Sequence, residues 1–197
     1  MKIVEHYSHL NGLEYLLVHK PHLWEQIKAV IAGIEANVHK VKVSKEKTMA
    51  GSLLFSPTHL NKAFHEAFDK ADWKPQTTRY WVTDDVQLIR QTVNLTGKDQ
   101  KAEIEAAGKK PILSFNQTDF VKERVAVEVQ FGKYSFVAYD LFVKHMAFFV
   151  DGTIDLGVEI LAMKEMQQHM SSGPATTEAS CTTSFGRAAA CPPSRWS

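Results

Sequence analysis

Cysteine is nearly missing from this chain: only two of 197 residues are cysteine, and both, Cys181 and Cys191, fall in the C-terminal tail. A disulfide framework through the core is therefore excluded, and a cytoplasmic setting is expected. Long apolar runs are missing too. No segment reaches the ~20 consecutive apolar residues of a membrane span, and Met1-Lys2-Ile3-Val4-Glu5 does not read as a signal peptide. No membrane partner is expected. Nor is there a charge of one sign to draw in a polyanion, since the formal net charge is +1. Attraction to nucleic acid would have to come from local patches, of which Lys40, Lys42, Lys45 and Lys47 form one candidate. The nine histidines are scattered, and His6/His9 and His19/His22 lack a second pair or cysteine partners at zinc spacing. Neither a glycine-rich phosphate loop nor a G-x-S-x-G elbow is present.

What the chain does have is ordinary globular material, 44% hydrophobic, enough for one domain with a substantial core. Pro21 at a first helical position, with Leu23, Trp24, Ile27, Val30, Ile31 and Ile34 at helical spacing, predicts a helix over about 21–35. Ser56-Pro57 reads as an N-cap and first-turn pair for a second helix carrying Leu60, Phe64, Ala67 and Phe68 on one face. Helical segments are also expected over about 85–94 and 98–108. Residues 117–121 and 125–131 read as a hairpin joined by Lys122-Glu123-Arg124. The stretch 134–150 is apolar on nearly every side (Phe136, Val137, Leu141, Phe142, Met146, Phe148, Phe149), which predicts a helix buried between layers or against a partner subunit. Asp140 and Lys144, four apart, can pair on its polar stripe. Asp151-Gly152 ends it and Thr153–Leu161 reads as a strand. Alternating helices and strands argue for a mixed α/β core.

From Pro174 onward the composition changes. The tail holds no Leu, Ile, Val or Met, and is expected to be disordered. Read one base back, codons for Ala-Thr-Thr-Glu-Ala-Ser-Cys-Thr-Thr-Ser permit Gly-Tyr-Tyr-Arg-Gly-Glu-Leu-Tyr-Asn-Val, a strand-like alternative that points to a frameshift. The expected organisation is one domain over 1–173 and an atypical tail over 174–197.

The chemistry is carried by Asn116-Gln117-Thr118-Asp119 followed by Val127-Glu128-Val129-Gln130. On paired strands this spacing gathers Asp119, Glu128 and Gln130 at one end of a hairpin. Glu128 and Gln130 share a face, while Val127, Val129 and Phe131 point into the core. Two carboxylates and an amide carbonyl make an oxygen-rich site for a hard divalent cation such as Mg²⁺. That is the apparatus of metal-dependent phosphodiester hydrolysis.

The run NQTDFVKERVAVEVQFGKYSFVAYDLFVKHMAF closely resembles the type II restriction endonucleases of the group that includes BstYI, BglII and BamHI. IVEHYSHLNGLEY, SKEKT and MKEMQQHMSSG extend the likeness over roughly residues 1–173. The resemblance implies the PD-(D/E)xK nuclease core, an α/β fold with a central mixed sheet flanked by helices. Asp119, Glu128 and Gln130 would then be catalytic, with Asp119 and Glu128 holding Mg²⁺ (Mn²⁺ as a substitute) and Gln130 standing where most of the superfamily has Lys. It also implies a homodimer on double-stranded DNA, cutting a palindrome with a GATC core, R^GATCY, to leave 5′ overhangs. Lys133 and Ser172 would contact bases; without the resemblance they read as a phosphate contact and a cap. A further acid such as Glu105 would join the site by analogy, although a plain surface position fits it better. The rival readings are a catalytically inactive DNA-binding remnant and a repair-type nuclease on the same core.

Overall fold

Each helix begins where the chain supplies a start signal and buries the face its spacing dictates. In chain order the elements are α1 (Gly12–His19), α2 (Pro21–Gly33), β1 (Lys42–Val43), β2 (Leu53–Leu54), α3 (Pro57–Lys70), β3 (Lys74–Val82), α4 (Val86–Thr92) and α5 (Gly97–Ala106). There follow β4 (Ile112–Lys122), β5 (Val125–Gln130), a π-helical segment (Asp140–His145) that runs on as α6 (Met146–Val150), β6 (Leu156–Leu161), α7 (Lys164–Gln167) and α8 (Thr177–Ser180). This computed structural model describes residues 1–132, 137, 140–150, 152–171 and 173–180. Lys133, Ser172, both cysteines and the tail from 181 lie outside the described residues. None of the described helices is long and apolar enough to cross a membrane.

In α3 the Ser56 hydroxyl accepts the His59 N–H and Pro57 sits in the first turn. Leu60, Phe64 and Phe68 are buried on its inner face. Leu23, Ile27, Val30 and Ile31 do the same for α2. The expected helices over 85–94 and 98–108 are α4 and α5. The sequence reading missed α1 and β3, and it began β4 too late.

Strands β3, β4, β5 and β6 lie side by side in that order. The first two pairings are antiparallel and the last is parallel, which makes the expected central mixed sheet. Its two faces differ. Val125, Val127 and Val129 of β5, Phe120 of β4 and Leu156, Val158 and Ile160 of β6 meet α1, α2 and α3 in the main core. Phe68 is the centre of that layer, stacked on Phe120 at 4.5 Å and edge-on to Trp73 at 5.5 Å. On the opposite face Val121 and Ala126 pack with Phe148 and Ile154 in a smaller cluster. The alternation along β5 therefore sends Glu128 and Gln130 toward the π-helical segment and α6, away from the main core.

The β4–β5 turn is tight. Lys122 pairs with Val125, leaving Glu123 and Arg124 as its corner, both in the left-handed region at φ 46° and 66°. Side chains with a Cβ adopt this conformation at a cost, and here ion pairs offset it. Glu123 meets His22 at 3.0 Å and Lys20 at 3.6 Å. Arg124 binds Asp155 at 2.6 Å and donates to the Gly152 carbonyl. The second clamp ties the hairpin to the entrance of β6.

One expectation needs correction. The segment 140–150 is not apolar all round: Asp140 and His145 are buried, whereas Val143, Met146 and Phe149 are exposed. Polar groups here face the sheet because the sheet itself presents polar partners. The chain stays packed against the fold beyond 173. Ala175 is fully buried, Thr176 bridges Ala162, and the Glu178 carboxylate accepts the Lys164 N–H at 3.0 Å. Small side chains suit this close approach of backbones, so the lack of large apolar residues does not prevent packing through 180.

Removing the Phe68 ring should destabilise the protein by about 3–5 kcal/mol, the usual cost of a large core cavity. Urea unfolding of Phe68→Ala measures it, and a loss below about 1 kcal/mol would contradict the central place given to this ring.

Candidate active site on the β4–β5 hairpin

Past the last ladder pair, Phe120 with Val127, the strands bring Asp119 opposite Glu128. The Asp119 N–H donates to Glu128 Oε1 at 3.2 Å. Glu128 is 4% exposed and Asp119 half-buried. A cleft of about 480 Å³ opens beside Asp119, walled by Asn61, Lys62, His65 and Glu66 of α3. The hairpin thus brings together the two acids singled out by their spacing.

Gln130 is placed differently from expectation. Its carbonyl accepts the Gly132 N–H at 3.0 Å, and its amide donates to Asp140 Oδ2 at 3.0 Å. A Cβ at Gly132 would come within 2.7 Å of the Gln130 carbonyl oxygen, at the flexible end of that side chain. Both polar ends of Gln130 are therefore engaged. Glu105 lies on the exposed side of α5, 3.7 Å from Lys101. Lys133 and Ser172 fall outside the described residues, although Ser171 accepts a hydrogen bond from Lys42 at 2.7 Å. That contact sets the basic 40–47 loop against the segment leading to Ser172.

Three further groups complete the site. Lys144 reaches back from the π-helical segment to Glu128 Oε1 at 2.8 Å and Asp140 Oδ1 at 2.9 Å. The pairing of Asp140 with Lys144 thus forms, on the inner side of the helix. Glu159, on β6, is the register partner of Glu128 in the parallel pair, so both carboxylates leave the sheet on the same side. Among the described residues both Glu159 oxygens are buried without a hydrogen-bond partner. His145 lies over Gly157, where any Cβ would collide with its ring.

These positions set the charges. Burial, and next the charge of Asp119, push the Glu128 carboxyl up to about 7, with Lys144 opposing them only in part. Burial, then Asp140 and Glu128, raise Glu159 well above the usual carboxylate range. Burial lowers His145 to about 4, helped by the neighbouring Lys144 charge, so its ring is neutral. For Lys144 itself burial works against the ammonium, but its bonds to Glu128 and Asp140 prevail and raise its pKa.

Among the described residues no three acids converge at metal-ligand distance. The donor chemistry nevertheless fits a hard divalent cation. Asp119 and Glu128 are adjoining oxygen donors, and beside them lie the Glu159 oxygens, which have no hydrogen-bond partner among the described residues. Sequence reasoning missed Glu159 because the parity of β6 against β5 follows from a parallel crossover, which local spacing does not encode.

A raised carboxyl pKa has a definite sign in stability. Native Glu128 keeps its proton up to about 7 whereas the unfolded chain releases it near 4.5. Its contribution is full below the lower value and is lost as pH rises through the upper one. His145, lowered from 6.5 to about 4, acts oppositely and loses its contribution as pH falls. In EDTA, the stability of the wild type relative to Glu128→Gln should therefore decline between about pH 4.5 and pH 7. A pH-independent difference would show Glu128 ionised throughout.

None of the curated protein sequences matches the chain. Seven chains of solved structures do. Among them is the crystal structure of restriction endonuclease BglII complexed with a DNA 16-mer, at a TM-score of 0.55 and 16% identity. That match covers 87% of this chain and 66% of the other, so the chain spans just under two thirds of its length. At this identity the likeness is one of fold. The sequence profile of the restriction endonuclease BglII/BglIII family, by contrast, matches residues 4–189, nearly the whole chain. The chain belongs to the restriction endonuclease BglII/BglIII family.

Proposed function

We propose that the chain is a homodimeric type II restriction endonuclease of the bacterial cytoplasm, cutting double-stranded DNA at a palindrome with a GATC core. The observation that carries this reading is the apposition of Asp119 and Glu128 across one hairpin, in a chain of that family. Sequence resemblance to BstYI supports R^GATCY as the site and 5′ overhangs as the product. The BglII complex named above, with its DNA 16-mer, supports a duplex as the ligand.

Asp119 and Glu128 would hold Mg²⁺, with Mn²⁺ as a substitute. The ion supplies phosphate neutralisation, water activation and leaving-group stabilisation when bound. The protein's own contribution is positional. The sheet fixes the two acids on one rigid hairpin, and the neighbouring Lys144 lets Glu128 be buried. Near neutral pH Glu128 exchanges a proton readily, so cation binding and proton release are coupled there. Without a cation, crowded carboxylates repel the phosphate backbone, which makes productive DNA binding cation-dependent.

Lys133, three residues past the end of β5, and Ser172, next to the Ser171 that binds Lys42, would contact base edges, with Lys133 donating to guanine. The exposed Val143, Met146 and Phe149 on one side of the helix support a second copy of the chain as its cover. Two-fold protein symmetry would then match the two-fold symmetry of the palindrome. The tail from 181 is proposed to be frameshifted; resequencing the 3′ end of the gene tests this.

Incubation with plasmid and Mg²⁺ should give discrete fragments whose sequenced ends carry the GATC core. Shifted but uncut DNA would identify an inactive binding remnant, and structure-dependent nicking a repair-type nuclease. Asp119→Ala and Glu128→Ala should each abolish cleavage while DNA binding is kept or tightened. Cutting at more than a few per cent of wild type would place the metal elsewhere.

Lys133→Ala should weaken binding to the specific site by about 1–3 kcal/mol, with little change on random DNA. An equal loss on both DNAs would make Lys133 a phosphate contact.

A further inference from the structure

We propose that Lys144, reaching in from the helix over the sheet, supplies the positive charge that Gln130 leaves out of the active site. The inference rests on the nuclease reading above and goes beyond it by assigning a residue outside the hairpin. A lysine at position 130 would stand two residues after Glu128 on the same sheet face and present its ammonium beside that acid. Gln130 brings no charge, and its two polar ends are engaged by Gly132 and Asp140. The ammonium beside Glu128 comes instead from Lys144, at 2.8 Å.

The route by which it arrives is specific. Asp140 takes the Gln130 amide on Oδ2 and the Lys144 ammonium on Oδ1, one helical turn away. A continuous chain therefore runs from Gln130 through Asp140 and Lys144 to Glu128. An ordinary intrahelical pair would need only Asp140 and Lys144; this one spans to a different element and ends on the proposed metal-binding acid. Asp119, Glu128, Asp140 and Glu159 all bear on this side of the sheet, and Lys144 is the ammonium that reaches two of them. Lys144 acts electrostatically, toward Glu128 and the negative charge that gathers on a bound phosphate, and neither gives nor takes a proton. Asp140 is its positioning residue.

Gln130→Lys alone should not raise the rate, because it sets a second ammonium against Asp140. The decisive comparison uses Lys144→Gln, Lys144→Arg and the double variant Gln130→Lys/Lys144→Gln, which moves the charge back to the strand. Single-turnover cleavage with Mg²⁺ is read beside calorimetric titration with Mn²⁺ alone and thermal unfolding. Lys144→Gln should cut at least about 100-fold more slowly, the scale of losing one preorganised electrostatic partner, while binding Mn²⁺ as tightly as wild type or more so. Lys144→Arg should stay within roughly tenfold of wild type, and the double variant should recover roughly tenfold of the loss. Cleavage by Lys144→Gln within about threefold of wild type overturns the proposal. So does a loss of cleavage accompanied by loss of Mn²⁺ binding and a lowered melting temperature with no recovery in the double variant, which makes Lys144 a structural counter-ion. Wild-type protein that cuts no DNA overturns the nuclease reading itself, an outcome separate from a wild type that cuts and a Lys144→Gln variant that cuts equally well.

Discussion

Like charges crowded on a buried sheet face repel, and the surroundings of Glu128 answer that repulsion. Two unit charges 4 Å apart interact by about 4 kcal/mol at an effective dielectric of ~20, a large share of a domain's net stability. The Asp119 N–H and the Lys144 ammonium turn toward Glu128, and Glu128 itself moves toward the neutral form. Glu159 follows the same course, with no hydrogen-bond partner among the described residues. Its charged neighbours are mostly acids: Asp140, Glu128 and Asp119 raise it further, and Lys144 opposes them only in part. A site meant only for stability would have replaced these acids with apolar side chains, which are often at least as stabilising in such a place.

The two faces of the sheet divide the work. Aromatic and branched residues between β5 and α3 hold the strands to one register, and that register decides which way Glu128 points. A slip of one residue would send it into the valine-rich core. The clamp from Arg124 to Asp155 guards the same register from the other side, fixing the hairpin against β6. Glu128 and Glu159 therefore sit side by side because of contacts made some distance from either.

Much of this was legible in the chain. The α2 and α3 helices follow from Pro and Ser start signals and apolar spacing, and the hairpin follows from the alternation about Glu123-Arg124. Spacing also brought Asp119 and Glu128 together, since antiparallel strands joined by a tight turn fix their own pairing. Partners from across a crossover were not legible. Lys144 was expected beside Asp140 but not at Glu128, and Glu159 carried no local signal. The β3 strand, Lys74–Val82, was passed over because Lys, Gln, Thr and Arg give it a weak apolar alternation, and its pairing with β4 prevails over that local preference.

Asp119 and Glu128 lie nine residues apart along the chain, with a tight turn between them. Closing so short a loop costs little chain entropy and is fast, whereas β6 and the helix over the sheet must be brought back from farther along. The two acids are therefore neighbours in the chain as well as in space, whereas their counter-charge is contributed by a later, separate element.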